Sequence, residues 1–95
     1  MSDQNTVKHG DGFLDDVENL PKHVQEKLIH LLVIVAENVF DPRLHTKPLG
    51  PPLKGKFSFR ITRDWRVGFK FLGDHQIFLL VADHRDQIYA RMKRL

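Results

Sequence analysis

Between Phe57 and Phe71 apolar and polar residues alternate with a period of two, and nothing else in the chain constrains its fold so tightly. Phe57, Phe59 and Ile61 alternate with Ser58, Arg60 and Thr62. After a turn at Arg63 and Asp64, Trp65, Val67, Phe69 and Phe71 alternate with Arg66, Gly68 and Lys70. Two such segments form an antiparallel pair, with one face on a core and the other toward solvent. Gly73 and Asp74 supply a second tight turn. Residues 77–81 are apolar throughout, as in a central strand covered on both faces. The pattern predicts a three-stranded antiparallel meander.

Upstream the period is helical. Phe13, Val17 and Leu20 fall on one face, with Asp11 as an expected cap and Asp15, Asp16 and Glu18 near the positive end of the helix dipole. Pro21 interrupts this helix and opens a second over residues 21–40, in which Val24, Leu28, Leu31, Val35 and Val39 repeat. Its back half is apolar nearly all round and is expected to be buried on more than one side. Asp41-Pro42 ends it. Residues 41–56 form a stiff, Pro-rich connection. Residues 1–10 are a frayed tail or a weak edge strand, and residues 87–95, with Ile88, Arg91, Met92 and Leu95 at helical spacing, make one or two turns of helix. Helices followed by strands give an α+β fold: two N-terminal helices packed on a small twisted antiparallel sheet. A length of 95 residues is one domain, 1–95, with one modest core.

The 41% apolar and 28% charged fractions are those of an ordinary globular chain. The absence of cysteine excludes a disulfide scaffold, a cysteine-ligated zinc and a thiol nucleophile. No apolar run approaches the ~18 residues of a membrane span, and the polar N-terminus does not read as a signal peptide. The expected location is cytoplasmic, with no membrane partner. The net charge of +3 is unevenly spread. Residues 1–50 carry five Lys/Arg against eight Asp/Glu, and residues 51–95 carry ten against four, so the halves differ as −3 and +6. A fold that gathers the second half on one face presents a basic surface to polyanions.

Strand alternation says where that surface lies. Lys54, Lys56, Arg60, Arg66 and Lys70 share the parity opposite to the core, with no acid among them. Directly opposed like charges destabilise a sheet, so such a face points to an anionic ligand. The third strand ends in Asp83-His84-Arg85, which the turn geometry brings to the same end of the sheet as Arg60 and Arg66. Histidine can move a proton near neutral pH, arginine can grip phosphate, and Tyr89 can stack on a base. His84, Arg66, Arg60, Arg85 and Tyr89 form a metal-free ribonuclease set, in which the 2′-hydroxyl attacks the adjacent phosphorus to give a 2′,3′-cyclic phosphate and a 5′-hydroxyl. Arg63 adds to the RNA-binding residues Lys54, Lys56 and Lys70. The six histidines show no zinc-ligand spacing, and no nucleotide-binding glycine motif occurs, so no metal and no cofactor are expected.

The run LKGKFSFRITRDWRVGFKF, followed by HR and Tyr89, resembles the RelE/ParE superfamily of type II toxins, as does the order helix, LPKHV, long helix, DPRL, meander. The resemblance covers about residues 12–92. It implies the RelE-like fold and, in the RelE branch, cleavage of mRNA, usually in the ribosomal A site. It also implies neutralisation by a cognate antitoxin, through which alone operator DNA would be met. Arg60 and Arg66 then match basic strand positions, His84 and Arg85 the basic pair that ends the last strand, and Tyr89 the C-terminal aromatic. Ser58 stands where ribosome-dependent members place a lysine, no glutamate occurs in residues 53–95, and the usual apolar first strand is nearly missing. Other members with this fold poison DNA gyrase, and a decayed toxin that only binds an antitoxin or autoregulates is a third reading. An antitoxin could lay acids across Arg60, Arg66 and Arg85 or displace the C-terminal segment 87–95, anchored through Ile88, Met92 and Leu95; displacement is the expected mode.

Overall fold

A computed structural model describes residues 4–95. A mixed five-stranded sheet runs in the order β1-β5-β4-β3-β2, built from β1 (Thr6–His9), β2 (Lys47–Pro48), β3 (Lys56–Arg60), β4 (Trp65–Gly73) and β5 (Gln76–His84). The expected meander is its centre, β3, β4 and β5, paired antiparallel. Two edges are added. β1 pairs parallel with β5, so the weak-strand alternative for the N-terminal segment is the one adopted; residues 1–3 of that segment lie outside the described residues. The sheet is therefore mixed, not purely antiparallel. β2 forms within the Pro-rich connection, where Lys47 pairs with Ser58 and Pro48 with Phe57. Proline is tolerated there because β2 is an edge.

Two helices, α1 (Asp11–Glu18) and α2 (Lys22–Glu37), lie between β1 and β2 in sequence. Phe13, Leu20, Val24, Leu28, Leu31 and Val35 pack with Phe59, Val67, Phe69, Ile77 and Leu79 in one core. That is the alternation expected of Phe59, Val67 and Phe69. Three helical expectations need correction. The α1 cap is Gly10, and Asp11 lies in the first turn. α2 ends three residues before Phe40, because Asn38 is extended. The back half of α2 is covered on one side only: Ile29 is 66% exposed and Val33 60%.

The second tight turn falls at Asp74 and His75, one residue later than Gly73-Asp74, with His75 at φ 58°. The third helix, α3 (Ile88–Met92), is shorter than the segment expected and crosses the opposite face of the sheet. Ile88 and Met92 are fully buried there against Val81 and Leu53. Leu95, expected as an anchor, is 61% exposed.

Candidate nucleic-acid interface

The face turned away from α1 and α2 is built in rows fixed by strand register. Arg60 on β3 pairs directly with Arg66 on β4, and Lys56 pairs with Lys70. The predicted opposition of like charges is thus present twice. Between these rows lies Ser58 against Gly68, and Gly68 against Val81 on β5. This middle row is where α3 docks. A β-carbon on Gly68 would overlap the Met92 side chain, with Cε only 2.6 Å away and Val81 Cγ1 3.1 Å away. Glycine at 68 makes the notch that Met92 fills.

At the Arg66 end the neighbours on β5 are sorted by face. Asp83 pairs with Arg66, whereas His84 pairs with Trp65, whose ring it meets edge-on at 5.2 Å between centroids. His84 therefore ends the same strand as expected but belongs to the Trp65 face, one residue beyond the partner of Arg66. Its Nδ1 accepts the Asp86 backbone N–H at 3.2 Å and lies 3.5 Å from the Asp86 carboxylate. With Nδ1 as acceptor, the neutral ring carries its proton on Nε2. Arg85 turns toward the β3–β4 loop: its N–H donates to Asp64 O, and its Nε is 3.5 Å from the Asp64 carboxylate. Arg66 Nη2 reaches the Arg63 carbonyl at 3.4 Å, while Arg66 Nε is buried without a hydrogen-bond partner. An unpaired guanidinium N–H in a buried position costs free energy, and Arg60 directly opposite adds to it.

The remaining residues divide between the surface and the docking of α3. Lys54, Arg60 and Arg63 are exposed. Lys56 is not available in the same way: its ammonium donates to the carbonyls of Met92 (3.1 Å) and Leu95 (2.9 Å), at the negative end of α3. Tyr89 is half-buried, with Lys47 Nζ 5.9 Å from its ring centre. Lys47 was not anticipated, since only the pairing of β2 with β3 brings that connection onto this face.

Sequence reasoning also missed the network that holds α3. Arg91 donates to Asp83 and to Asp16, each at 2.9 Å, and the other oxygen of Asp16 accepts the Ala82 backbone N–H at 3.0 Å. Burial disfavours the Arg91 charge, but hydrogen bonds to Asp83 and Asp16 outweigh it and hold its pKa above the ordinary arginine value. Asp16 thus satisfies the β5 edge beyond the end of β1 and fixes α3 to α1. Its position carried a signal: 13, 16, 17 and 20 form one helical stripe, so an acid at 16 faces the core. Among the described residues no group of three His, Asp or Glu side chains converges as a metal site, and no helix is long and apolar enough to cross a membrane.

No protein-family model and no curated protein matches the sequence. Solved structures match closely in shape. YafQ from E. coli strain BL21(DE3) superposes with a TM-score of 0.73 at 20% identity, over 90% of this chain and 99% of that one. The toxin–antitoxin complex RelBE2 from Mycobacterium tuberculosis gives 0.72 at 24%, over 86% and 99%. The YoeB/ParE toxin from Agrobacterium tumefaciens gives 0.71 at 19%, over 84% and 98%. With the mixed sheet, the two helices on one face and the short helix on the other, these likenesses establish that the chain has the fold of the RelE/ParE/YoeB toxins.

Proposed function

We propose that this chain is the toxin of a toxin–antitoxin pair and acts as a metal-independent endoribonuclease on mRNA, with the ribosome as its site of action. The observation that carries the reading is the Arg60–Arg66 pair, opposed across two strands with Arg66 Nε buried and unpartnered. A phosphate placed there relieves the repulsion and accepts from the guanidinium N–H groups that face it. In the reaction the 2′-oxygen attacks phosphorus and the bond to the 5′-oxygen breaks. The 2′-hydroxyl gives its proton to water, and the leaving 5′-oxygen takes one from His84. As the general acid His84 is an imidazolium: its Nδ1–H turns to the Asp86 carboxylate 3.5 Å away, and its Nε2–H protonates the leaving oxygen. Arg66 and Arg85 stabilise charge on the pentacoordinate phosphorus, and Tyr89 stacks on an adjacent base.

Support for an antitoxin partner comes from fold relatives whose structures are toxin–antitoxin complexes, among them RelBE2. Expression of the chain alone is expected to arrest growth and to yield mRNA fragments ending in 2′,3′-cyclic phosphate. The combined His84→Ala and Arg66→Ala variant is expected to fold and to be harmless. A double variant that remains fully toxic removes the assignment. Intact mRNA with blocked DNA supercoiling would replace it with gyrase inhibition.

A further inference from the structure

We propose that Phe78, flanked by Lys8 and Lys70, is a second RNA subsite: a stacking platform for a base of the single strand that extends from the cleavage site. The inference rests on the reading of this face as an RNA interface. Its own support is a residue that alternation does not explain. Phe57, Phe59, Trp65, Phe69 and Phe71 all pack with the core under α1 and α2. Phe78 is the aromatic of β5 and lies on the other face, half-buried, in register with Lys70 of β4 and Lys8 of β1. The Lys70 ammonium is 6.0 Å from the Phe78 ring centre. Lys8 is exposed, and the neighbouring Val7 faces the core, so strand parity puts Lys8 beside Phe78.

An aromatic between two lysines on an open sheet face is the arrangement that binds single strands: cations follow the phosphates, and a ring takes a base. Lys70 lies four residues from Arg66 on β4, about 13 Å at roughly 3.3 Å per residue. That distance is about four stacked nucleotides at roughly 3.4 Å each. The docked α3 lies between the two rows and is followed by the exposed Lys93 and Arg94. The occupant is single-stranded RNA beyond the scissile phosphate, not the cleaved dinucleotide itself.

The test uses 2′-O-methyl oligonucleotides, which cannot undergo 2′-oxygen attack, with binding to the full chain read by fluorescence anisotropy. A trinucleotide reaches only the arginine row, and a decanucleotide reaches both. Phe78→Leu keeps apolar volume and removes the ring face. It is expected to weaken the decanucleotide roughly five- to 150-fold, the range for losing one stacked base, and to leave the trinucleotide within twofold. Lys8→Gln, which touches no core residue, is expected to weaken the decanucleotide alone and to reduce its salt slope by about 0.7. If wild type binds both oligonucleotides and Phe78→Leu changes neither, or changes both equally, the platform is wrong and the RNA reading stands. If wild type binds neither, the platform falls together with that reading.

Discussion

Met92 occupies the space that a β-carbon on residue 68 would need, so Gly68 and Met92 fit only as a pair. The fit decides where the C-terminal helix lies. It puts α3 across the middle row of the basic face, separates the Arg60–Arg66 row from the Lys56–Lys70 row, and holds Tyr89 near Lys47.

The first prediction follows from that notch. Gly68→Ala forces Met92 out or bends β4, and overpacking of this kind costs about 1–3 kcal/mol. The loss is expected to be local before it is global. Hydrogen exchange should show residues 88–92 losing protection while β4 and β5 keep theirs. Unchanged protection over α3 would mean that Met92 has another rotamer at little cost.

Asp16 gives the second prediction. Asp16→Ala leaves the Ala82 N–H and one arm of Arg91 without a partner. Breaking a buried, hydrogen-bonded pair is strongly destabilising, but Arg91 is 42% exposed and regains water. The expected loss is about 2–3 kcal/mol by urea denaturation. Asp16→Asn keeps an acceptor for the Ala82 N–H and should recover part of it. Equal losses in the two variants would assign the effect to charge alone.

Arg66 should separate function from stability. Its Nε is unpartnered and Arg60 is its cross-strand neighbour. Arg66→Gln removes a like-charge contact of about 0.2–1 kcal/mol, so thermal stability is expected to hold or rise. RNA cleavage is expected to fall by about a hundredfold or more, as when a donor to developing charge is lost. A variant that loses stability and cleavage in parallel would make Arg66 a structural residue.

Much of this was legible because strands report themselves twice, in period and in face. The alternation from Phe57 to Phe71 put Lys56, Arg60, Arg66 and Lys70 on one face, and the strand register then sets Arg60 opposite Arg66 and Lys56 opposite Lys70. What alternation cannot register is a bulge. The pairing shifts between Gly68 and Phe69, where Val81 and Leu79 are the partners on β5. Past that shift the parity of β5 changes, so Asp83 stands beside Arg66 and His84 beside Trp65. β1 and β2 were hard to read for another reason: edge strands of four and two residues owe their pairing to neighbours distant in sequence. Arg91 was seen at helical spacing, but only the packing of α1 against β5 supplies its partner Asp16.

Asp41 gives a pH-dependent prediction outside the interface. Its side chain caps the 3-10 turn Pro42–Leu44 through the Arg43 N–H and pairs with the Arg43 guanidinium. The side-chain hydrogen bond from Arg43, then the bond from its backbone, lowers the Asp41 pKa from 3.8 to about 2. A carboxylate whose folded pKa is depressed stabilises fully above the unfolded value and loses that contribution as pH falls through the folded one. The turn should therefore hold down to pH 4 and loosen toward pH 2. Carboxyl carbon shifts by NMR are expected to titrate with a midpoint near 2 in wild type and to move upward in Arg43→Ala. The same midpoint in both proteins would mean that the pair is not formed in solution.

The last prediction separates two lysines that share one row and look alike in sequence. Lys70 presents its ammonium on the open face near Phe78, whereas Lys56 gives its own to the carbonyls of Met92 and Leu95. A cation that neutralises a phosphate of a single strand contributes about −0.7 to the slope of log K against log salt. Lys70→Gln should therefore flatten the slope for a long oligonucleotide by about that amount and leave α3 protected from exchange. Lys56→Gln should do the reverse, with little change in slope and faster exchange over residues 88–92, because the last carbonyls of α3 lose their cationic donor. A Lys56 variant that flattens the slope while α3 stays protected would mean that this lysine leaves the helix for the phosphate when RNA binds.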